Sequence, residues 1–169
     1  MEVIRIGSTN SVLVIGISDM QVSDDSNAYL KTYSLGSCIG VAAWDRNRQV
    51  GGLLHILLPE SSIQPSKSES HPYMFADTGI PRLFHALYDL GASKSSIVVK
   101  VAGGADMKST GNALRIGERN LNCTRQILER NGVRIQSLQV GGCISRTMTL
   151  QLMTGKVLIQ SPGREDIWM

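Results

Sequence analysis

No C-x-x-C pair occurs in this chain of 169 residues, and its three cysteines, Cys38, Cys123 and Cys143, are odd in number and widely spaced. Such spacing argues against a disulfide framework and against a zinc site. It fits a reducing, cytoplasmic setting. No apolar run reaches the roughly 18 residues of a membrane span. The first twenty residues lack a basic stretch followed by an apolar core and a small-residue cleavage site, so no signal peptide is expected. Lys/Arg blocks are absent, the four tyrosines are scattered, and the formal net charge is only +3. These absences give no reason to expect nucleic acid as a partner, or insertion into a membrane. No repeat of 20–50 residues is visible.

What remains is ordinary globular composition, 42% hydrophobic and 18% charged. The length suits one domain with a substantial core. Residues 12–18 and 28–34 read as strands. The segments CIGVAAW (38–44) and VGGLLHILL (50–58) are apolar runs joined by a short charged break, a hairpin pattern. Residues 60–72 are polar and rich in serine and proline, the expected mobile loop.

Ile80, Leu83, Phe84, Leu87 and Tyr88 recur at helical spacing, with Pro81 expected in the first turn or at a kink and Gly91 as the stop. Residues 96–107 read as a buried strand running into a Gly-Gly turn. A second helix spans 116–132, with Leu121, Thr124, Ile127 and Leu128 on one side. A strand follows, then a closing hairpin around Thr154 and Gly155. Hairpins require antiparallel pairing. The expected architecture is therefore α+β, with mixed or antiparallel sheets and two main helices in one domain over 1–169.

The first hairpin has a chemical consequence. A loop centred near Arg46–Asn47 sets Cys38 opposite His55, or one or two positions away if the loop is longer. Directly opposed side chains share a face and lie about 5 Å apart at Cβ. A slip of one residue would put them on opposite faces. A thiol beside an imidazole is the arrangement that activates a sulfur nucleophile. Gly36 would let the backbone turn tightly before it, and backbone N–H groups near Ser37 and Cys38 could hold an oxyanion. The spacing also suits a plain reading, since an isolated cysteine in an apolar strand is ordinarily a core residue.

The other candidates have less behind them. Cys123 and Cys143 have no histidine in register and read as structural. His85 falls mid-helix as a solvated or boundary residue, and His71 lies in the polar loop. Gly103–Gly104 and Gly141–Gly142 match no phosphate-binding pattern and read as tight turns.

Taken in order, LGSCIGVAAWD, GGLLHILLP, LYDLGA, VKVAGGADM, IGERN, GVRIQSLQVGG and RTMTLQLMTGKVLI resemble the chemoreceptor glutamine deamidases, the CheD family of bacterial and archaeal chemotaxis. The resemblance runs over residues 12–160. It implies an α/β/β layered sandwich. It also implies hydrolysis of receptor glutamine side chains to glutamate and ammonia, with no metal or organic cofactor. Cys38 falls on the family's nucleophile, His55 on its base and Thr32 on its third residue. The implied partners are the cytoplasmic helices of chemoreceptors. The alternative is a chain that mainly binds and regulates a CheC-type phosphatase of the response regulator, with minor catalysis. Other Cys-His enzymes, a small peptidase or a transglutaminase-like acyltransferase, share the chemistry. The chain departs from the family pattern at Gln139, Val140 and Ser145, which bears on substrate choice and partner binding.

Overall fold

The computed structural model describes residues 3–6, 10–106 and 115–169. Its strands are β1 (Val3–Ile6), β2 (Asn10–Ile15), β3 (Asp19–Ser23), β4 (Tyr29–Leu35), β5 (Ile39–Asp45), β6 (Val50–Ile56), β7 (Ile97–Gly103), β8 (Ile135–Val140), β9 (Arg146–Gln151), β10 (Val157–Gln160) and β11 (Ile167–Trp168). Its helices are α1 (Ala76–Asp89) and α2 (Ile116–Arg130). The strands form a six-stranded sheet in the order β1-β2-β4-β9-β10-β11 and a five-stranded sheet in the order β3-β6-β5-β7-β8. Pairing is antiparallel except between β2 and β4 and between β7 and β8, so both sheets are mixed.

The five-stranded sheet lies in the middle and has a core on each face. One core joins it to the other sheet through Leu30, Leu35, Ala42, Leu53, Met148 and Leu150. The other joins it to the helices through Val41, Leu54, Ile56, Ile80, Leu83 and Leu87. The architecture is an α/β/β layered sandwich of the α+β class. Burial on both faces explains why β5 and β6 read as continuous apolar runs and not as alternating ones. Each fully buried leucine or isoleucine contributes about 1.5–3 kcal/mol.

Two glycines in β6 let both layers approach the middle sheet. A Cβ on Gly51 would lie 2.5 Å from Leu152, and one on Gly52 would lie 2.6 Å from Leu83 of α1.

The β5–β6 hairpin closes with four loop residues, since Asp45 pairs with Val50. The Asp45 carboxylate accepts from the N–H groups of Asn47 and Arg48 within the loop, and from Ser93 N–H and the Ser96 hydroxyl outside it. Gln49 takes the left-handed conformation, φ +56°, that ends the loop.

Several elements differ from expectation. β3 is a separate strand at the sheet edge, where "DMQVS" carries too little apolar alternation to announce itself. The segment 60–72 is not a free loop. It forms 3₁₀ turns at Ser61–Ile63 and Pro65–Lys67, and a third follows at Pro72–Met74. The Asp77 carboxylate, in the first turn of α1, accepts from Ser61 N–H and hydroxyl and ties the segment down. Of the two places expected for Pro81, the first turn is not the one it takes: it sits inside the longer helix α1. Gly91 ends α1 in the left-handed conformation, as expected, and Gly132 ends α2 likewise. Met107, at the end of the predicted 96–107 strand, lies outside the described residues.

Candidate active site

His55 alternates along β6 with Leu53, so it faces the other sheet, while Leu54 and Ile56 face the helices. Thr32 alternates along β4 with Leu30 and faces back across the same layer. Cys38 lies one residue before β5 and packs in this inter-sheet core. The structure therefore brings Thr32, His55 and Cys38 into one layer. All three are buried, with Cys38 the least so at 6% exposed. The register sets Gly40, not Cys38, opposite His55. The four-residue loop shifts the pairing by two positions, which keeps Cys38 on the His55 face and makes it a diagonal neighbour.

The approach to Cys38 is built from a sheet crossing. β4 bulges between Thr32 and Leu35, with Ser34 left-handed at φ +59°. The chain then leaves the outer sheet and enters β5 through Gly36, Ser37 and Cys38. Gly36 was expected to turn through glycine's special freedom, but it has no positive φ, and Ser34 carries the left-handed turn. Bulges of this kind re-aim side chains beside functional sites. A second crossing, from β2 to β3, holds the other residues. Ile15, at the end of β2, pairs with Thr32, and Ser18 N–H donates to the His55 carbonyl at 3.0 Å.

The hydrogen bonds fix the protonation pattern of the imidazole. Thr32 Oγ1 donates its single proton to the Ile15 carbonyl at 2.8 Å. It lies 2.7 Å from His55 Nδ1, so it must accept from Nδ1–H there. The neutral ring then carries its lone pair on Nε2. That atom is buried and has no partner among the described residues.

Burial depresses the His55 pKa to about 4. Burial likewise pushes the Cys38 thiol above its ordinary value, and the Cys38 backbone N–H, lying against the sulfur, offsets part of this. Both effects favour uncharged groups. The resting site is a neutral thiol facing a layer that holds a neutral base.

The remaining cysteines and histidines are not brought to this layer. Cys123, on α2, donates to the Pro59 carbonyl at 3.1 Å, and its thiol is pushed up to about 11 by burial and by the carboxylates of Glu60 and Asp77. Cys143, His71 and His85 are exposed. Gln139 and Val140 end β8, and Ser145 precedes Arg146, whose guanidinium donates to the Gly141 carbonyl at 2.9 Å. No cluster of three or more His, Cys, Asp or Glu side chains that could hold a metal occurs among the described residues. A cleft of about 230 Å³ between α1 and α2 is lined by Ile80, Phe84, Tyr88, Ile127 and Val133 and shares no residue with the site. No helix among the described residues is long and apolar enough to cross a membrane.

Sequence reasoning missed Asn120. It is fully buried on α2, and its side-chain amide donates to the carbonyls of Ser37, at 2.9 Å, and Leu57, at 3.0 Å. A polar residue on the helix face that carries Thr124 and Leu128 was the available signal.

The model of the family described as CheD chemotactic sensory transduction matches residues 57–161. The chain is 47% identical over 151 residues to a Syntrophus aciditrophicus protein named "Probable chemoreceptor glutamine deamidase CheD 1", covering 89% of this chain and 94% of that one. The chain belongs to the CheD family. A similarly named CheD protein of Anaeromyxobacter dehalogenans is 44% identical, covering 89% of this chain and 95% of its own. The corresponding CheD of Solibacter usitatus is 38% identical, covering 90% of each chain. A Neisseria meningitidis structure, NMB0706, overlaps 78% of this chain and 62% of its own at a TM-score of 0.48 and 11% identity. That likeness is too loose to bear on the site. The CheD family model begins at residue 57, after Thr32, Cys38 and His55, so the case for these three rests on their geometry and on the sequence resemblance.

Proposed function

We propose that this CheD chain hydrolyses glutamine side chains on chemoreceptor cytoplasmic helices to glutamate, with Cys38 as nucleophile, His55 as base and Thr32 as the residue that orients the imidazole. The observation that carries this reading is the Ile15–Thr32–His55 relay. It leaves His55 Nε2 as a free base in the layer that holds Cys38.

Because both groups rest neutral, thiol deprotonation accompanies attack. Cys38 Sγ forms a bond to the amide Cδ while its proton passes to Nε2, and the carbonyl π pair moves to oxygen. Backbone N–H groups of Ser37 and Cys38, with Gly36 shaping the segment, hold that oxyanion. His55 protonates the departing nitrogen, which leaves as ammonia. Water, giving a proton to Nε2, adds to the thioester, and the collapse restores the thiol and leaves a carboxylate. Thr32 keeps the ring in the tautomer and orientation this sequence of transfers requires. No cofactor enters any step.

The whole chain acts as one deamidase domain at the cytoplasmic ends of the receptors. Each turnover adds a negative charge to a helix and creates a carboxylate open to methyl esterification.

Incubation of the chain with a receptor cytoplasmic fragment tests this, with mass spectrometry locating glutamines converted to glutamates. Conversion is expected with the parent protein and not with Cys38→Ala. Transfer to added amines in place of water would instead identify an acyltransferase. A Cys38→Ala protein with undiminished chemotactic function, acting through a CheC-type phosphatase, would favour the regulatory reading.

A further inference from the structure

The segment that carries Cys38 is held by three successive carbonyl contacts. The Gly36 carbonyl accepts from Ala105 N–H at 2.8 Å, and the Cys38 carbonyl accepts from Gly104 N–H at 2.8 Å. Between them, the Ser37 carbonyl accepts from the Asn120 side chain at 2.9 Å. The Gly104–Ala105 backbone and α2 are themselves pressed together, since a Cβ on Gly117 would lie 2.7 Å from either carbonyl oxygen. A side chain on Gly103 would strike the Cys38 carbonyl, so this approach requires glycine.

In a trans peptide the C=O and N–H point in opposite directions, and none of the described peptides is cis. Holding the Ser37 carbonyl toward α2 therefore turns the Cys38 N–H away from α2. That N–H donates to no carbonyl or side-chain oxygen among the described residues. The Asn120 amide cannot be reversed, because its oxygen would then face two carbonyl oxygens. Both hydrogens of its nitrogen are used, one on Ser37 and one on Leu57, and its own oxygen has no partner among the described residues.

We propose that Asn120 is a positioning residue for the oxyanion site, fixing the Ser37–Cys38 peptide so that the Cys38 N–H meets the oxygen of the carbonyl under attack. This rests on the deamidase reading for its natural substrate, but it concerns any acyl transfer to Cys38. The competing role is to set the spacing between Cys38 and His55, because Leu57 lies two residues beyond the base.

Two small probes separate these roles. Acetylation of Cys38 by p-nitrophenyl acetate forms an S–C bond, passes the thiol proton to His55, develops an oxyanion and expels p-nitrophenolate. Alkylation by iodoacetamide needs the same thiol but develops no carbonyl oxyanion. With Cys143→Ser as background and Cys38→Ala as blank, Asn120→Ala is expected to lower acetylation by ~10–100-fold. Alkylation of Cys38 should stay within about 2-fold. With the receptor fragment, kcat should fall by a factor similar to acetylation, with KM unchanged. Asn120→Leu, which removes both donors while retaining bulk, should behave alike, and circular dichroism checks that each variant is folded.

Equal loss of acetylation and alkylation would overturn the proposal in favour of Cys38–His55 spacing. No loss of acetylation would overturn it outright, as would unfolding of both variants or the absence of Cys38 acetylation in the parent. Parent protein that acetylates, loses this in Asn120→Ala, yet leaves receptor glutamines untouched would uphold Asn120 and break the receptor reading alone.

Discussion

The two faces of β6 lie one residue apart in sequence and have different contents. Toward α1, Leu54 and Ile56 meet Ile80, Leu83 and Leu87 in an apolar layer. Toward the outer sheet, Leu53 alternates with His55, and the layer there also takes in Thr32 and Cys38. The apolar contacts with α1 can be altered at a cost in stability alone. The second holds buried polar atoms that are satisfied only in part, since His55 Nε2 has no partner among the described residues. A buried orphan acceptor is destabilising unless something uses it. The contrast separates what the sandwich needs to fold from what it holds ready for chemistry.

The strongest test of that division replaces one residue on each face. Cys38→Ala is expected to bring receptor deamidation below ~10⁻⁴ of the parent rate while leaving the fold intact. Leu54→Ala should cost about 2–5 kcal/mol in urea unfolding while leaving activity per folded molecule unchanged. Substantial activity in folded Cys38→Ala would remove the covalent mechanism. Loss of activity in folded Leu54→Ala would erase the distinction between the faces.

Replacing His55 should affect both rate and pH response. Its folded pKa, about 4, lies below its unfolded value of 6.5, so the unfolded chain binds the extra proton first. Stability is then greatest above pH 6.5 and declines as pH falls from there toward 4, by about 3 kcal/mol from this group. His55→Leu should abolish deamidation and flatten that part of the stability profile. In the parent, the acid limb of the rate should fall near pH 4, not near 6.5. A rate that halves at pH 6.5 would show the imidazole to be more hydrated than its burial implies.

A smaller effect is expected at Thr32. Because its hydroxyl, and not its carbonyl, meets Nδ1, Thr32→Ala should lower kcat by about 10–100-fold, and Thr32→Ser should restore most of it. Equal rates in the two variants would leave the tautomer to be set by other groups. The smallest effect concerns the thiols. In a Cys143→Ser background, Cys38 should alkylate roughly 3–10-fold faster than the half-buried Cys123, whose carboxylate neighbours oppose ionisation. His55→Ala should remove that lead, as peptide mapping of iodoacetamide adducts would show.

Legibility in the sequence followed the same division. Regular hydrophobic patterning announced β5, β6, α1, α2 and the closing hairpin. Facing was recoverable because a two-residue error in register keeps side chains on their side of a sheet. The exact partner was not recoverable. It depends on a four-residue loop organised by Asp45, whose ligands Ser93 and Ser96 lie far along the chain. The polar 60–72 stretch looked unstructured because its anchor, Asp77, belongs to the following helix. Thr32 stood out only through family resemblance, since its partner is a backbone carbonyl on a parallel strand. Asn120 showed only its place on the buried face of α2, and not its role, because both of its partners are main-chain oxygens distant in sequence.

The crossings from β2 to β3 and from β4 to β5 have one more consequence. Thr32 belongs to the outer sheet, His55 to the middle one, and Cys38 to the segment that links them. On the roles proposed above, neither sheet alone contains a working set. While the chain is still emerging or only half assembled, a Cys38 nucleophile would have no His55 base to draw on, so premature acylation would be suppressed. Competence arrives at the moment the sheets dock, and enzymatic activity becomes a direct gauge of that last assembly event.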